Sequence, residues 1–377
     1  MQYKVKYVRT IFVIACFATI AFIFYSCSEN PVESHNSGLT GSRVYSINRV
    51  DGGTNFQVRF TSIDSLDKFK EIGFSFRSES MLVFPDHFIS QKHRLYVVAS
   101  LSKLYFIDTQ SNKLVKVVEM TYTGEIDFSF VPGEIKFLDY DDDRCILISG
   151  NSAYLISLPD KSIERRVFDG NNISFATSII SSALTYDRRF LYLVTETRGI
   201  SGRPKHLLKV DLLMNKISRI EQLSPNIYSQ DTTGIASLGT TSEYLIYLDS
   251  TNDYLLGIGR STYYKYSVRS DKMIEKKTYR ALSTNHELYP FGKSKLLSHS
   301  IDGGSFHIIN VEDFSISDYM QTQSDYLAGI YQKLSDGLYF LATDNRGTAF
   351  IFNVTEKKLK YSFPLTTLYK FIIMEAI

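Results

Sequence analysis

Tryptophan is missing altogether from the 377 residues, cysteine occurs three times, and glycine and proline together make up under a tenth of the chain. So little glycine and proline excludes a collagen-like or low-complexity chain. With 44% hydrophobic and 22% charged residues, intrinsic disorder is excluded as well, and the length is ample for a large core. Two of the cysteines, Cys16 and Cys27, lie at the N-terminal end, so the rest of the chain holds Cys145 alone and no internal disulfide framework. Cys145 stands in Arg144-Cys145-Ile146-Leu147-Ile148, a strand-like setting in which a thiol reads as a small buried hydrophobe. A Gly-rich phosphate loop, a GxSxG elbow, an HExxH pair, a CxxCH haem site and a cysteine cluster are all absent. No cofactor and no metal ligand set is expected.

What the chain does have is 26 Tyr and 26 Phe, a diet that suits β-sheet, where rings pack across neighbouring strands. It also has a distinctive beginning. Lys4, Lys6 and Arg9 precede Ile11 to Phe24, fourteen residues that are all apolar except Thr19, and the run breaks at Tyr25-Ser26-Cys27-Ser28. A basic head, a short apolar stretch and a small residue at the break describe a secretory signal. The run falls short of the roughly 20 residues that span a bilayer comfortably. The segment resembles a bacterial lipoprotein signal, with Ser26 before the cysteine. The resemblance implies cleavage after residue 26, lipidation of Cys27 as the new first residue, a membrane anchor and, from Ser28, an outer-membrane address. Residues 27–42 then read as a polar tether (SENPVESHNSGLTG over 28–41). Removal of residues 1–26 takes away Lys4, Lys6 and Arg9 and no acid, leaving 39 basic against 40 acidic residues, a net charge of −1. No basic excess remains to suggest nucleic acid as a partner.

Residues 43–377 carry a repeat. LYVVASLSKLYFIDTQSNKLVKVVEM from Leu95 and LYFLATDNRGTAFIFNVTEKKLKYSF from Leu338 both read as strand, turn, strand, polar turn, strand. The anchor is an apolar residue, then a small polar one, then a short polar turn and an apolar return: Ile107-Asp108, Ile156-Ser157, Val210-Asp211, Tyr266-Ser267, Ile309-Asn310 and Phe352-Asn353. These anchors fall 43 to 56 residues apart, a period that fits four-stranded propeller blades and excludes a helical solenoid. Residues 44–75 supply the second, third and fourth strands of a further unit, and 368–374 supply a surplus strand. That strand is predicted to fill the first blade and close the ring, giving an all-β, seven-bladed β-propeller at about 47 residues per blade. The LYV…IDT…NKLV pattern resembles the bacterial surface-layer-type (YVTN-like) propeller repeat, which carries the fold but no single function. The missing tryptophan excludes the docking motifs of quinone-cofactor propeller dehydrogenases.

Function is expected on loops held by the rigid ring. Two stretches, 195–206 and 249–262, read as long second-to-third-strand loops of adjacent blades, on one face. They bring Arg198, Arg203, Lys205, His206 and Arg260, with Tyr263 and Tyr264 just after, and Arg346 in the corresponding turn of the last blade. Tyr122, Tyr228, Tyr289 and Tyr326 are expected in connections on that face. Tyrosine and arginine together suit an anionic ligand, a glycan or a protein loop. The acidic run Asp139, Asp141, Asp142 and Asp143 lacks the spacing and glycine of a calcium loop and reads as a hairpin turn. The expectation is thus an exported, membrane-anchored propeller that binds an envelope protein or glycan. A lyase or hydrolase at the channel mouth, with converging His, Arg, Tyr or carboxylate groups, and a structural envelope scaffold are the alternatives.

Overall fold

The computed structural model describes residues 39–50, 54–66, 68–78, 85–120, 135–173, 178–185, 187–196, 205–223, 244–247, 254–258, 262–278, 286–292, 294–300, 304–310, 312–313, 315–322, 327–344, 346–364 and 370–376. Gly41–Ile377 is one compact unit. Its strands form seven four-stranded antiparallel sheets, each a meander running outward. Blade 1 is the exception in chain order: its innermost strand is Phe371–Met374, followed outward by Arg43–Val50, Asn55–Ser62 and Lys70–Arg77. Blades 2 to 7 begin with the inner strands Asp86–Ser90, Ile135–Asp141, Ser178–Leu184, Tyr244–Tyr247, His286–Pro290 and Ala328–Leu334. The predicted ring closure is present, with Arg43 opposite Met374 and Ser46 opposite Phe371.

Burial follows position within the blade. Second and third strands are covered on both faces by neighbouring blades and read as nearly unbroken apolar runs: Leu95–Ala99 and Ser152–Ser157 are buried throughout. Outer strands such as Lys113–Glu119 are mostly exposed and correspondingly polar. The wedges between blades are filled largely by rings. Tyr45 of blade 1 stacks on Tyr96 of blade 2 at 4.8 Å, and Phe306 of blade 6 meets Phe340 of blade 7 edge-on at 5.2 Å. Cys145 sits in one such wedge, fully buried.

The six anchors are the next-to-last residues of their third strands. In all seven blades the third and fourth strands pair through a register shift, a bulge that strengthens twist and bends the outer strand around its neighbour. The third strand ends in an Asx or Ser turn: Asp108 Oδ1 accepts from Ser111 N–H at 2.6 Å, and Asp211 Oδ1 accepts from the N–H groups of Leu213 and Met214 at 3.0 Å. The residue that starts the return lies in the left-handed region in five blades: Asn112, Lys161, Asn215, Asp271 and Lys357, with φ between 50° and 57°. Asparagine and aspartate tolerate this region better than most residues, which explains their recurrence there.

The same turns join one blade to the next. Tyr45 and Arg43 of blade 1 reach Asn112 and the Thr109 carbonyl of blade 2. Lys116 of blade 2 donates to the Asp160 carbonyl of blade 3 at 3.0 Å, and Arg165 of blade 3 to Asn215 Oδ1 of blade 4 at 3.1 Å. Lys209 of blade 4 pairs with Asp271 of blade 5 at 2.6 Å, and Tyr319 of blade 6 donates to the Val354 carbonyl of blade 7 at 3.0 Å. The polar turn that makes the repeat visible in sequence is therefore also the hook that catches the preceding blade.

Candidate functional site

Because each blade meanders outward, its second-to-third turn and the connection to the next blade share one face, and its first-to-second and third-to-fourth turns share the other. On the first face the second-to-third turns are short: 100–102 in blade 2, 150–151 in blade 3 and 344–347 in blade 7. Blade 4 differs. Its strands Phe190–Glu196 and Lys205–Asp211 are separated by residues 197–204, the longest such connection in the ring.

The second expected insertion is not a loop. Within 249–262 lies Tyr254–Ile258, the second strand of blade 5, paired on one side with Tyr244–Tyr247 and on the other with Thr262–Ser267. Only three residues, 259–261, separate the second and third strands of blade 5, and 248–253 fall between its first and second strands. Glycines at 257 and 259 and the polar run Ser250-Thr251-Asn252-Asp253 gave the stretch its loop-like look. Strand spacing was the overlooked signal: Tyr254 precedes its anchor Tyr266 by twelve positions, as Leu95 precedes Ile107 and Arg144 precedes Ile156.

The sequence-derived site residues scatter accordingly. Arg198, Arg203 and Arg260 lie outside the described residues, as do Cys27, Tyr122, Tyr228 and Tyr326. Lys205 opens the third strand of blade 4, and Tyr263 and Tyr264 lie within the third strand of blade 5, opposite Ile258 and Gly257. His206 is 4% exposed and paired across the sheet with the buried Thr195, so its imidazole belongs to the base of the blade 4 loop rather than to a solvent rim. Arg346 is exposed on the expected turn, its N–H held by Asp344 Oδ1 at 2.9 Å. Tyr289 is part of the inner strand His286–Pro290, its ring 5.3 Å from that of Tyr331, and not part of an inter-blade connection.

A polar cluster that sequence reasoning missed stands on the inner strands where blades 1, 2 and 3 meet. Asp86, first residue of its strand, accepts from Lys370 Nζ at 2.8 Å and from the Phe137 N–H at 2.9 Å, so a single carboxylate ties three blades. Burial works against its charge, but Lys370, His87 and the Phe137 N–H outweigh it and hold its pKa below the usual carboxylate value. The next residue, His87, turns into the wedge between blades 1 and 2, where Nδ1 lies 2.9 Å from Tyr96 Oη. Burial pushes its pKa down to about 4 and raises that of Tyr96 well above its ordinary value. At neutral pH the cluster is a satisfied ion pair beside a neutral imidazole and a neutral phenol. These are converging groups of the kind a channel-mouth enzyme would need; Asp86, Lys370 and the Phe137 N–H clasp three blades together, while His87 Nε2 is buried without a hydrogen-bond partner among the described residues.

The acidic hairpin is likewise engaged. Asp141 takes two bonds from Arg144, at 2.9 and 2.6 Å, while Asp143 meets Lys92 at 2.7 Å and His93 at 2.8 Å from blade 2. Asp139 and Arg188 line an open cleft between blades 3 and 4 together with Leu184 and Thr185.

No family model matches this chain, and no curated protein does. Solved structures do match. One is the β-propeller domain of Cps50 (Swd1) from Myceliophteria thermophila, with a TM-score of 0.51 and 12% identity over 78% of this chain and 90% of that one. The chain is a seven-bladed β-propeller. At that identity the likeness concerns architecture alone.

Proposed function

We propose that this propeller is an exported, lipid-anchored binding protein of the bacterial cell envelope, and that it takes a protein or glycan partner on the face carrying the 195–206 loop. The observation that supports the binding face is the asymmetry of the ring. A rigid frame keeps its second-to-third turns tight and extends one of them, in blade 4, with Arg198 and Arg203 inside the extension and Lys205 and His206 at its base. Arg346 stands on the same face of blade 7. Arginines on a loop held by a fixed scaffold offer forked donors to carboxylates, phosphates or sugar hydroxyls at a small ordering cost. The anchor is supported by the basic-apolar-cysteine order of residues 1–27 and by the resemblance to a lipoprotein signal.

Two experiments test the two halves. Cys27→Ser is expected to move the protein from the membrane to the soluble fraction, and unchanged retention with an uncleaved N-terminus overturns the anchor. Replacing 197–204 by a tight turn is expected to leave thermal unfolding unchanged while abolishing capture of a partner from detergent-solubilised envelopes. Capture of the same partners by both forms overturns the binding face.

A further inference from the structure

The repeats provide their own reference for what a third-to-fourth turn should look like. In the five-residue turns the second residue is buried in four blades, at Thr109, Leu158, Leu212 and Val354, and half-buried at Val268 in blade 5, and the third and fourth residues form the tip. The tips read Gln110-Ser111 in blade 2, Pro159-Asp160 in blade 3, Arg269-Ser270 in blade 5 and Thr355-Glu356 in blade 7. Each contains at least one polar residue and no large aliphatic side chain. Blade 4 reads Leu213-Met214 at these positions, and the two side chains are 74% and 72% exposed, the most exposed large apolar residues among those described. The Asx bonds from Asp211 to both N–H groups hold the tip in the common turn, so the exposure is not a local unravelling. Ile217 on the adjoining strand and Ile274 on the outer strand of blade 5 extend the apolar character along the same sector.

We infer that the Leu213-Met214 tip is a membrane-contacting element that inserts into the headgroup region of an anionic bilayer. This rests on the proposal that the chain is lipid-anchored. Three observations choose lipid as the occupant. First, Gly41–Arg43 enters the ring on the face that carries the third-to-fourth turns, because Arg43–Val50 runs from that face toward the opposite one. Under the anchoring proposal the tether joins the ring at this face, which leaves the face free to meet the membrane. Second, blade 1, where the chain enters, and blade 4, which carries the tip, lie across the ring from each other, so a contact at the tip supplements the tether and fixes the tilt of the face. Third, the tip is convex, two side chains wide, and edged by exposed Arg188, Arg189, Lys216 and Lys272. Of the carboxylates nearby, Asp211 caps the turn and meets Arg189, Asp187 accepts from Thr185, Asp271 pairs with Lys209 and Asp139 shares a cleft with Arg188, so the cationic character of the border rests on Lys216 and Lys272. A small apolar protrusion within a cationic border suits a fluid anionic interface, which needs no complementary pocket. The opposite face, with the blade 4 loop, is then left turned away from the bilayer for its partner.

The absence of tryptophan makes the test direct. Leu213→Trp, or Met214→Trp as a second variant, places a single indole at the tip, and Arg346→Trp places one on the opposite face. The full-length protein, purified from membranes, is reconstituted into phosphatidylethanolamine–phosphatidylglycerol vesicles with and without brominated acyl chains. The expected result is a blue-shifted tip emission that brominated lipid quenches, with Arg346→Trp unaffected by either. Water-like tip emission from anchored protein overturns the inference. So does a blue shift that resists brominated lipid and grows with protein density, which assigns the tip to a second copy. The mass of the N-terminal peptide reads the anchor separately: an unmodified Cys27 sinks the anchoring proposal and is not confused with a solvent-exposed tip.

Discussion

The side-chain amide of Gln332 makes both available hydrogen bonds to the backbone of Ile373, donating to its carbonyl at 2.6 Å and accepting from its N–H at 2.9 Å. Gln332 lies on the inner strand of blade 7 and Ile373 on the C-terminal strand that belongs to blade 1, so one side chain stands in for a strand neighbour where the ring closes. Gln332→Glu is nearly isosteric but cannot donate to the Ile373 carbonyl. It is expected to lower stability by about 2 kcal/mol, through one lost bond and one poorly satisfied carbonyl. Urea unfolding of the full chain checks this, and a midpoint equal to the parent's would show that Gln332 contributes little to closure.

Acid sensitivity should trace in part to His87. Its folded pKa is about 4 against an ordinary 6.5, so between those values the unfolded chain binds a proton that the folded chain refuses. Stability is therefore lost as pH falls from 6.5 toward 4, by about 3 kcal/mol, and no further below that. Asp86, whose pKa is held low, withdraws stability in the same direction but only below the ordinary carboxylate value near 3.8. His87→Asn preserves a partner for Tyr96 and removes the titration. The difference in urea midpoint between pH 7 and pH 4.5 is expected to be smaller in this variant, and equal differences would refute the assignment.

Cys145 should behave as a reporter of global unfolding. It is fully buried, and burial together with Asp139 and Asp141 drives its thiol pKa far above the usual range, so the nucleophilic thiolate is suppressed in the native state. Labelling by iodoacetamide at pH 8, read at the Cys145 peptide by mass spectrometry, is expected only at denaturant concentrations that unfold the ring. Rapid labelling without denaturant would reveal local opening of the wedge between blades 2 and 3.

The left-handed Asn112 serves conformation and contact together. Its φ is 52°, and its Oδ1 accepts from Tyr45 Oη at 2.9 Å. Asn112→Gly keeps the backbone comfortable and loses the acceptor, for a cost of about 1 kcal/mol. Asn112→Val also forces a β-branched residue into the left-handed region, for a total of about 3 kcal/mol. Melting temperatures should fall in the order parent, Asn112→Gly, Asn112→Val. Tyr45→Phe should match Asn112→Gly if the hydrogen bond carries the difference.

Blade count and closure were legible in sequence because each blade repeats a local turn whose chemistry is carried by a few adjacent residues. Asp108 to Asn112 and Asp211 to Asn215 look alike because both must cap a third strand and enter the left-handed region. The candidate site was far less legible. The 249–262 stretch looks like a loop until the twelve-residue spacing to Tyr266 is imposed, and His206 looks like a rim residue until sheet pairing places it opposite Thr195.

The amino-acid sequence by itself determined the seven-fold repeat and the use of the last strand to complete the first blade. Turn chemistry and alternation are short-range, and the period merely counts them. Only the tertiary structure decided which polar groups meet. Asp86 and Lys370 are 284 positions apart and become partners solely because closure sets the inner strands of blades 1 and 2 side by side. The exposure of Leu213 and Met214 was decided at the same level: Arg165 of blade 3 holds the two ends of the turn, at Leu212 and Asn215, and leaves the apolar pair between them uncovered.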